Sequence, residues 1–141
     1  MPIGTTQIDL PQVRDELKSV SDQYEAALVG NDPATLDRMF HRAPQTLRYG
    51  LADEQYGFDA VSAFRAALPQ QSPPRRIVRE AIATYGADLG TVNIEFRYVA
   101  QAGGGRQSQT WVRTDEEGFG GWRIVAAHVS LFPEERQDAA P

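Results

Sequence analysis

Between Pro11 and Asp32 the apolar residues recur at three- and four-residue steps. Val13, Leu17, Val20, Tyr24, Ala27 and Leu28 share one stripe, the spacing of an amphipathic helix. Pro11 suits a first turn, and Gly30-Asn31 stops the run. Asp32 then offers an N-cap and Pro33 an N1 residue for a second, shorter helix through "ATLDRMF". At "TLRYG", Thr46 to Gly50, the period changes. Thr46, Leu47 and Tyr49 favour a strand, and Gly50 ends it. "DEQYG", residues 53–57, reads as a short connection. "FDAVSAFRAAL" reads as a third helix, with Asp59 near its start and Pro69 after its end.

From "QQSPPRR" onward the pattern is that of strands. "RRIVREAIATYG", "LGTVNIEFRYV", "RQSQTWVRT" and "WRIVAAHVSLF" are separated by turn material at Gly86-Ala87-Asp88, "AQAGGG" and "DEEGFGG". Four consecutive strands with short links predict an antiparallel meander. The expected fold is α+β: a curved, mostly antiparallel sheet with three N-terminal helices enclosing a pocket. Simple alternation puts Trp122, Ile124, Ala126, His128 and Ser130 on one face of the last strand, with Arg123, Val125, Ala127, Val129 and Leu131 on the other. Both sets include apolar residues, so both faces are expected to be covered, one by helices and the other by a second subunit. Asn93, Glu95 and Arg97 with Gln109 and Trp111 suggest a mixed polar and aromatic face: a wet surface, a dimer interface or the rim of a site. A single domain over residues 8–132 is expected, with flexible termini at 1–7 and 133–141.

Charge narrows the function classes. With 14 Lys and Arg against 19 Asp and Glu, the net charge of −5 disfavours nucleic-acid binding, which needs a basic face. The chain has no cysteine, which excludes disulfides, thiolate nucleophiles and cysteine metal sites. No segment reads as an export signal or a membrane span, and a cytoplasmic location is the expectation. His41 and His128 stand far apart with no metal-binding spacing around them, so no metal is expected.

"YEAALVGNDPATLDRMF", "TLRYG", "YGFDAVSAFRAA", "RQSQTWVR" and "WRIVAAHVSL", in that order, resemble the AtzH-like family. That family lies within the cone-shaped NTF2-like class, which includes SnoaL-type cyclases and ketosteroid isomerase. The likeness covers about residues 8–132. It implies a wide-mouthed fold, a homodimer, no cofactor and a small anionic substrate. Members are similar to proteins of cyanuric acid and oxalurate breakdown, commonly found beside amidases, so a partner amidase is implied too. The family's type activity is a decarboxylating amidohydrolase step on a carboxylated urea. It involves a tyrosine of the first helix and an arginine of the first strand, which match Tyr24 and Arg48 here. His41-Arg42-Ala43, Leu68 and the "VAQAGGG" hairpin depart from the family's pattern, and these departures bear on the substrate.

Each candidate residue has a structural reading beside the functional one. Arg48 either pairs with a carboxylate at the surface or faces a pocket, where its planar fork would bind a carboxylate. Tyr24 is either a core aromatic or a hydroxyl donor in the cavity. His128 is a structural donor or a proton shuttle. Arg65 is a second anion clamp or a solvated helix residue. Trp111 and Trp122 are packing residues or pocket walls. Gln109 and Ser108 point to opposite faces, so at most one of them meets a given ligand. Asp53 and Glu95 are surface ion-pair partners or catalytic carboxylates. Glycines 103–105 follow a strand without opening a helix, so they lack the context of a phosphate loop.

Three functions follow. The first is a cofactor-free decarboxylating hydrolase on a compact carboxylated urea or amide, with Tyr24, Arg48 and His128 catalytic and Arg65, Trp111, Gln109 and Trp122 binding substrate. The second is a non-catalytic small-acid-binding or scaffold module. The third is an isomerase or cyclase with Glu95 as base.

Overall fold

The computed structural model describes residues 2–68 and 72–133, so Pro69 and the expected tail beyond Pro133 lie outside it. Helices α1 (Pro11–Val29), α2 (Pro33–Arg38) and α3 (Phe58–Ala67) surround two short strands, β1 (Leu47–Tyr49) and β2 (Glu54–Tyr56). Four long strands follow: β3 (Arg75–Tyr85), β4 (Leu89–Tyr98), β5 (Gly104–Arg113) and β6 (Trp122–Leu131). Pro11 and Pro33 open their helices, and Asp32 caps α2 by accepting from the Thr35 N–H. "DEQYG", read as a plain connection, instead forms β2 and pairs back onto β1. A hairpin with a strand this short carries little periodicity, which is why its alternation gave no signal. Residues 5–7, expected to be loose, form one 3₁₀ turn, and Ile8 bridges to Tyr85.

One sheet runs in the order β2-β1-β6-β5-β4-β3. The β3–β6 meander is antiparallel as expected, whereas β1 lies parallel to β6, aligning Arg48 with Ala127. The core lies between the sheet and α1. Leu17, Val20 and Tyr24 of the helical stripe meet Ile82, Val92, Ile94, Phe96 and Trp111 of the sheet.

Two β-bulges change which residues share a face. Thr110 aligns with Ala126 but Trp111 with Ile124, which leaves Val125 as an extra residue in β6. Trp122 and Ile124 therefore share the inner face with Ala127, Val129 and Leu131. His128 and Ser130 fall on the outer face. The simple alternation expected for β6 fails at this one residue, because a bulge adds a residue without adding a step of the ladder. A second bulge at Val78 keeps Arg75 and Ile77 on the same face as Glu80 and Ile82. The expected grouping of Asn93 with Gln109 is also corrected: Val92 lies opposite Gln109, and Asn93 opposite Ser108.

Glycines 103–105 form the end of the β4–β5 hairpin and the start of β5. Gly103 turns the hairpin at φ +103°, and a Cβ on Gly105 would lie 2.0 Å from the Ser130 carbonyl oxygen.

Candidate functional site

Between α1, α3 and the inner face of the sheet lies a cavity of about 190 Å³. Tyr24 from α1, Arg48 from β1, Arg65 from α3 and Gln109 from β5 all line it. Their sources are far apart in sequence, and it is the parallel β1–β6 pairing that brings Arg48 to the wall. Arg48 is aligned with Ala127 and Gln55, on the inner face, while Leu47 and Tyr49 go outward.

Arg48 is already partly engaged. Its Nη1 donates to Asp53 Oδ1 at 2.9 Å and to Gln55 Oε1 at 3.0 Å. Gln55 Nε2 donates to the same Asp53 oxygen at 2.8 Å, and the Phe64 ring lies beneath the guanidinium at 5.2 Å. Nη2 and Nε of Arg48 have no hydrogen bond among the described residues. Arg48 thus both pairs with a carboxylate and lines the cavity: one edge is fixed by Asp53, and the other keeps its donors without a partner among the described residues.

Arg65 repeats the arrangement. Its Nε donates to Asp37 Oδ1 at 2.9 Å, and its guanidinium lies 5.4 Å from the Phe40 ring centre. Both of its Nη atoms lack partners among the described residues. Tyr24 is buried, edge-on to Phe40 and to Trp111 with ring centres 6.4 Å away in each case. Its hydroxyl has no hydrogen-bond partner among the described residues.

The AtzH-like family model matches residues 6–135. The chain belongs to the AtzH-like family. A protein of unknown function from the DUF3225 family of Pectobacterium atrosepticum is 37% identical, at TM-score 0.86, covering 94% of this chain and 100% of its own. A cystatin-like fold protein from Burkholderia xenovorans is 38% identical, at TM-score 0.80, covering 88% of this chain and 95% of its own. A nuclear transport factor 2 (NTF2-like) superfamily protein from Salmonella enterica serovar Typhimurium is 20% identical, at TM-score 0.69, covering 89% and 94%. That last likeness establishes the NTF2-like fold. A comparison with curated proteins gives no match.

The other expected residues fall differently in this AtzH-like chain. His128 borders the cavity but stands on the outer face beside Tyr49, with ring centres 5.6 Å apart, and it is exposed. Trp111 and Trp122 are fully buried and are not among the lining residues. Trp111 acts through Gln109, donating its indole N–H to Oε1 at 3.1 Å. Glu95 faces the outer groove with Arg79 and Arg106, away from the cavity, so the isomerase reading loses its proposed base. No three His, Asp or Glu side chains among the described residues gather as a metal site. No helix among them is long and apolar enough to cross a membrane.

Sequence reasoning missed a third cavity arginine. Arg75 donates from Nε and Nη2 to both oxygens of Glu25, at 2.9 and 2.7 Å, and from Nη2 to Gln107 Oε1 at 3.1 Å. It lies over the Phe96 ring at 4.4 Å, with only 5% of its side chain exposed. The signal was present: an arginine two residues before Ile77 on one strand shares its inward face.

A separate polar cluster closes the far end of β6. His41 Nδ1 and Glu116 Oε2 are 2.6 Å apart, and the Arg42 backbone N–H donates to the same oxygen. Burial resists ionisation of Glu116. The hydrogen bonds from His41 and Arg42 and the charge of Arg123 outweigh it and hold the carboxyl below its ordinary value. Burial likewise depresses Arg123, only partly offset by Glu116, with Arg38 and Arg42 adding repulsion.

Proposed function

We propose that this AtzH-like protein is a cofactor-free hydrolase or decarboxylase acting on a compact carboxylated urea or amide. The observation that carries this reading is that Tyr24 and Arg48 line one cavity, and that the Tyr24 hydroxyl and the Nη2 and Nε atoms of Arg48 have no hydrogen-bond partner among the described residues. Asp53 and Phe64 hold the Arg48 guanidinium in place, so its two remaining donors meet a carboxylate without a search through rotamers. The carboxylate is thereby oriented with its C–N bond toward Tyr24. When that bond breaks, the electron pair stays on nitrogen and carbon dioxide leaves. Tyr24 supplies the proton that nitrogen needs, and water returns one to the phenolate.

Carbon-13 NMR of bicarbonate release from freshly generated carboxyurea tests this. Release faster than the spontaneous reaction, and lost in both Tyr24→Phe and Arg48→Ala, is expected. Turnover at the parent rate in both variants overturns the proposal.

The pairing of each cavity arginine with its own internal carboxylate favours a second reading, a small-acid-binding module that supports a partner amidase. Such a site keeps its shape without ligand. Acid binding with no turnover, unchanged in Tyr24→Phe, would identify the module.

A further inference from the structure

The rim of the cavity differs in chemistry from its floor. The floor carries Arg48, Arg65, Arg75 and two glutamines. The rim carries Leu51 from the β1–β2 turn, Leu68 at the end of α3, Leu131 at the end of β6 and the Tyr49 ring. These leucines are 56%, 49% and 46% exposed. A single exposed leucine is ordinary. Three from separate elements, converging on one opening, form a patch of the kind that covers a ligand.

Size points the same way. A dry cavity of about 150 Å³ accepts benzene. At about 190 Å³, this one has room for a ring as well as a carboxylate. A bare carboxyurea has no apolar atoms to set against the leucines.

We infer that the ligand is amphipathic: an amide or urea acid whose carboxylate lies at Arg48 and whose nitrogen substituent is an aryl or branched acyl group seated between Leu51, Leu68 and Leu131. The inference rests on the anion-anchoring part of the proposed function and narrows its substrate class. Polar donors at the floor fix orientation. Apolar area at the rim supplies the added affinity, about tenfold or more for a ring taken half out of water.

Isothermal titration with three probes tests it: N-acetylglycine, N-benzoylglycine and the neutral N-benzylacetamide. N-Benzoylglycine is expected to bind at least about tenfold more tightly than N-acetylglycine. Leu51→Ser with Leu131→Ser should abolish that preference while leaving N-acetylglycine affinity unchanged. Both leucines are exposed, so the double variant should fold, and circular dichroism verifies it. Equal affinity for the two acids, with both lost in Arg48→Ala, overturns the amphipathic ligand but keeps the anion site. No binding of either acid overturns both. N-Benzylacetamide binding as tightly as N-benzoylglycine also overturns the inference, since the acid end would then contribute nothing.

Discussion

Trp111 donates its indole N–H to Gln109 Oε1 across 3.1 Å, and that bond decides which way the Gln109 amide faces. Indole nitrogen only donates, so the amide oxygen must turn toward it. The amide nitrogen is then left buried and without a partner among the described residues. Trp111→Phe removes the donor and part of a fully buried ring. A loss of about 2–4 kcal/mol is expected, read from urea unfolding. A loss below about 0.5 kcal/mol would mean that neither the bond nor the packing matters.

Arg48 lines the cavity as a fork, with Nη1 turned to Asp53 and Gln55 and its other nitrogens without a hydrogen bond among the described residues. Lysine keeps the charge but has one nitrogen, so it cannot serve Asp53 and a ligand carboxylate in that geometry. Arg48→Lys should weaken N-acetylglycine binding about tenfold, measured by titration calorimetry. Parent affinity in Arg48→Lys would show that charge alone anchors the acid.

His128 lies on the opposite sheet face from Arg48, because Val125 bulges out of β6. His128→Ala should change acid affinity and turnover by less than about twofold, the usual effect of an exposed substitution. A loss of turnover comparable to that of Tyr24→Phe would show that His128 takes part in the chemistry from its place at the cavity border.

Glu116 is held below its ordinary value of 4.5. A carboxyl whose folded pKa is depressed adds stability above its unfolded pKa and loses it as pH falls through the folded value. The parent should therefore melt at a higher temperature than Glu116→Gln at pH 7. The gap should close as the pH drops below 4.5. Parallel melting curves down to the acid limit would contradict this account.

Much of the fold was legible because its signals are periodic. The α1 stripe, the caps at Pro11, Asp32 and Pro33, and the alternation of β4 and β5 all depend on residues near one another in sequence. The bulges at Val78 and Val125 were not legible, since valine is an ordinary strand residue and the extra step shows only against a partner strand. Tyr24, Arg48, Arg65 and Gln109 line the cavity as expected. The pairings that hold the arginines join Glu25 to Arg75 and Asp37 to Arg65 over long stretches of chain. One sequence without its register cannot reveal such partners. His128 borders the cavity too, but its expected face was wrong, because one inserted residue reverses the face of every position after it.

The parallel pairing of β1 with β6 also sets an order in time. Arg48 leaves the ribosome well before its neighbour, because the strand it lies against is the last of the sheet to be made. Until β6 emerges, the cavity lacks the wall formed by Ala127, Val129 and Leu131. A nascent chain therefore has its helices before it has anything to hold a ligand, and the closing contact spans most of the sequence, the sort of long loop that folds slowly. Binding becomes possible only once β6 has been made, so a chain truncated before β6 would carry Tyr24 and Arg48 without a site.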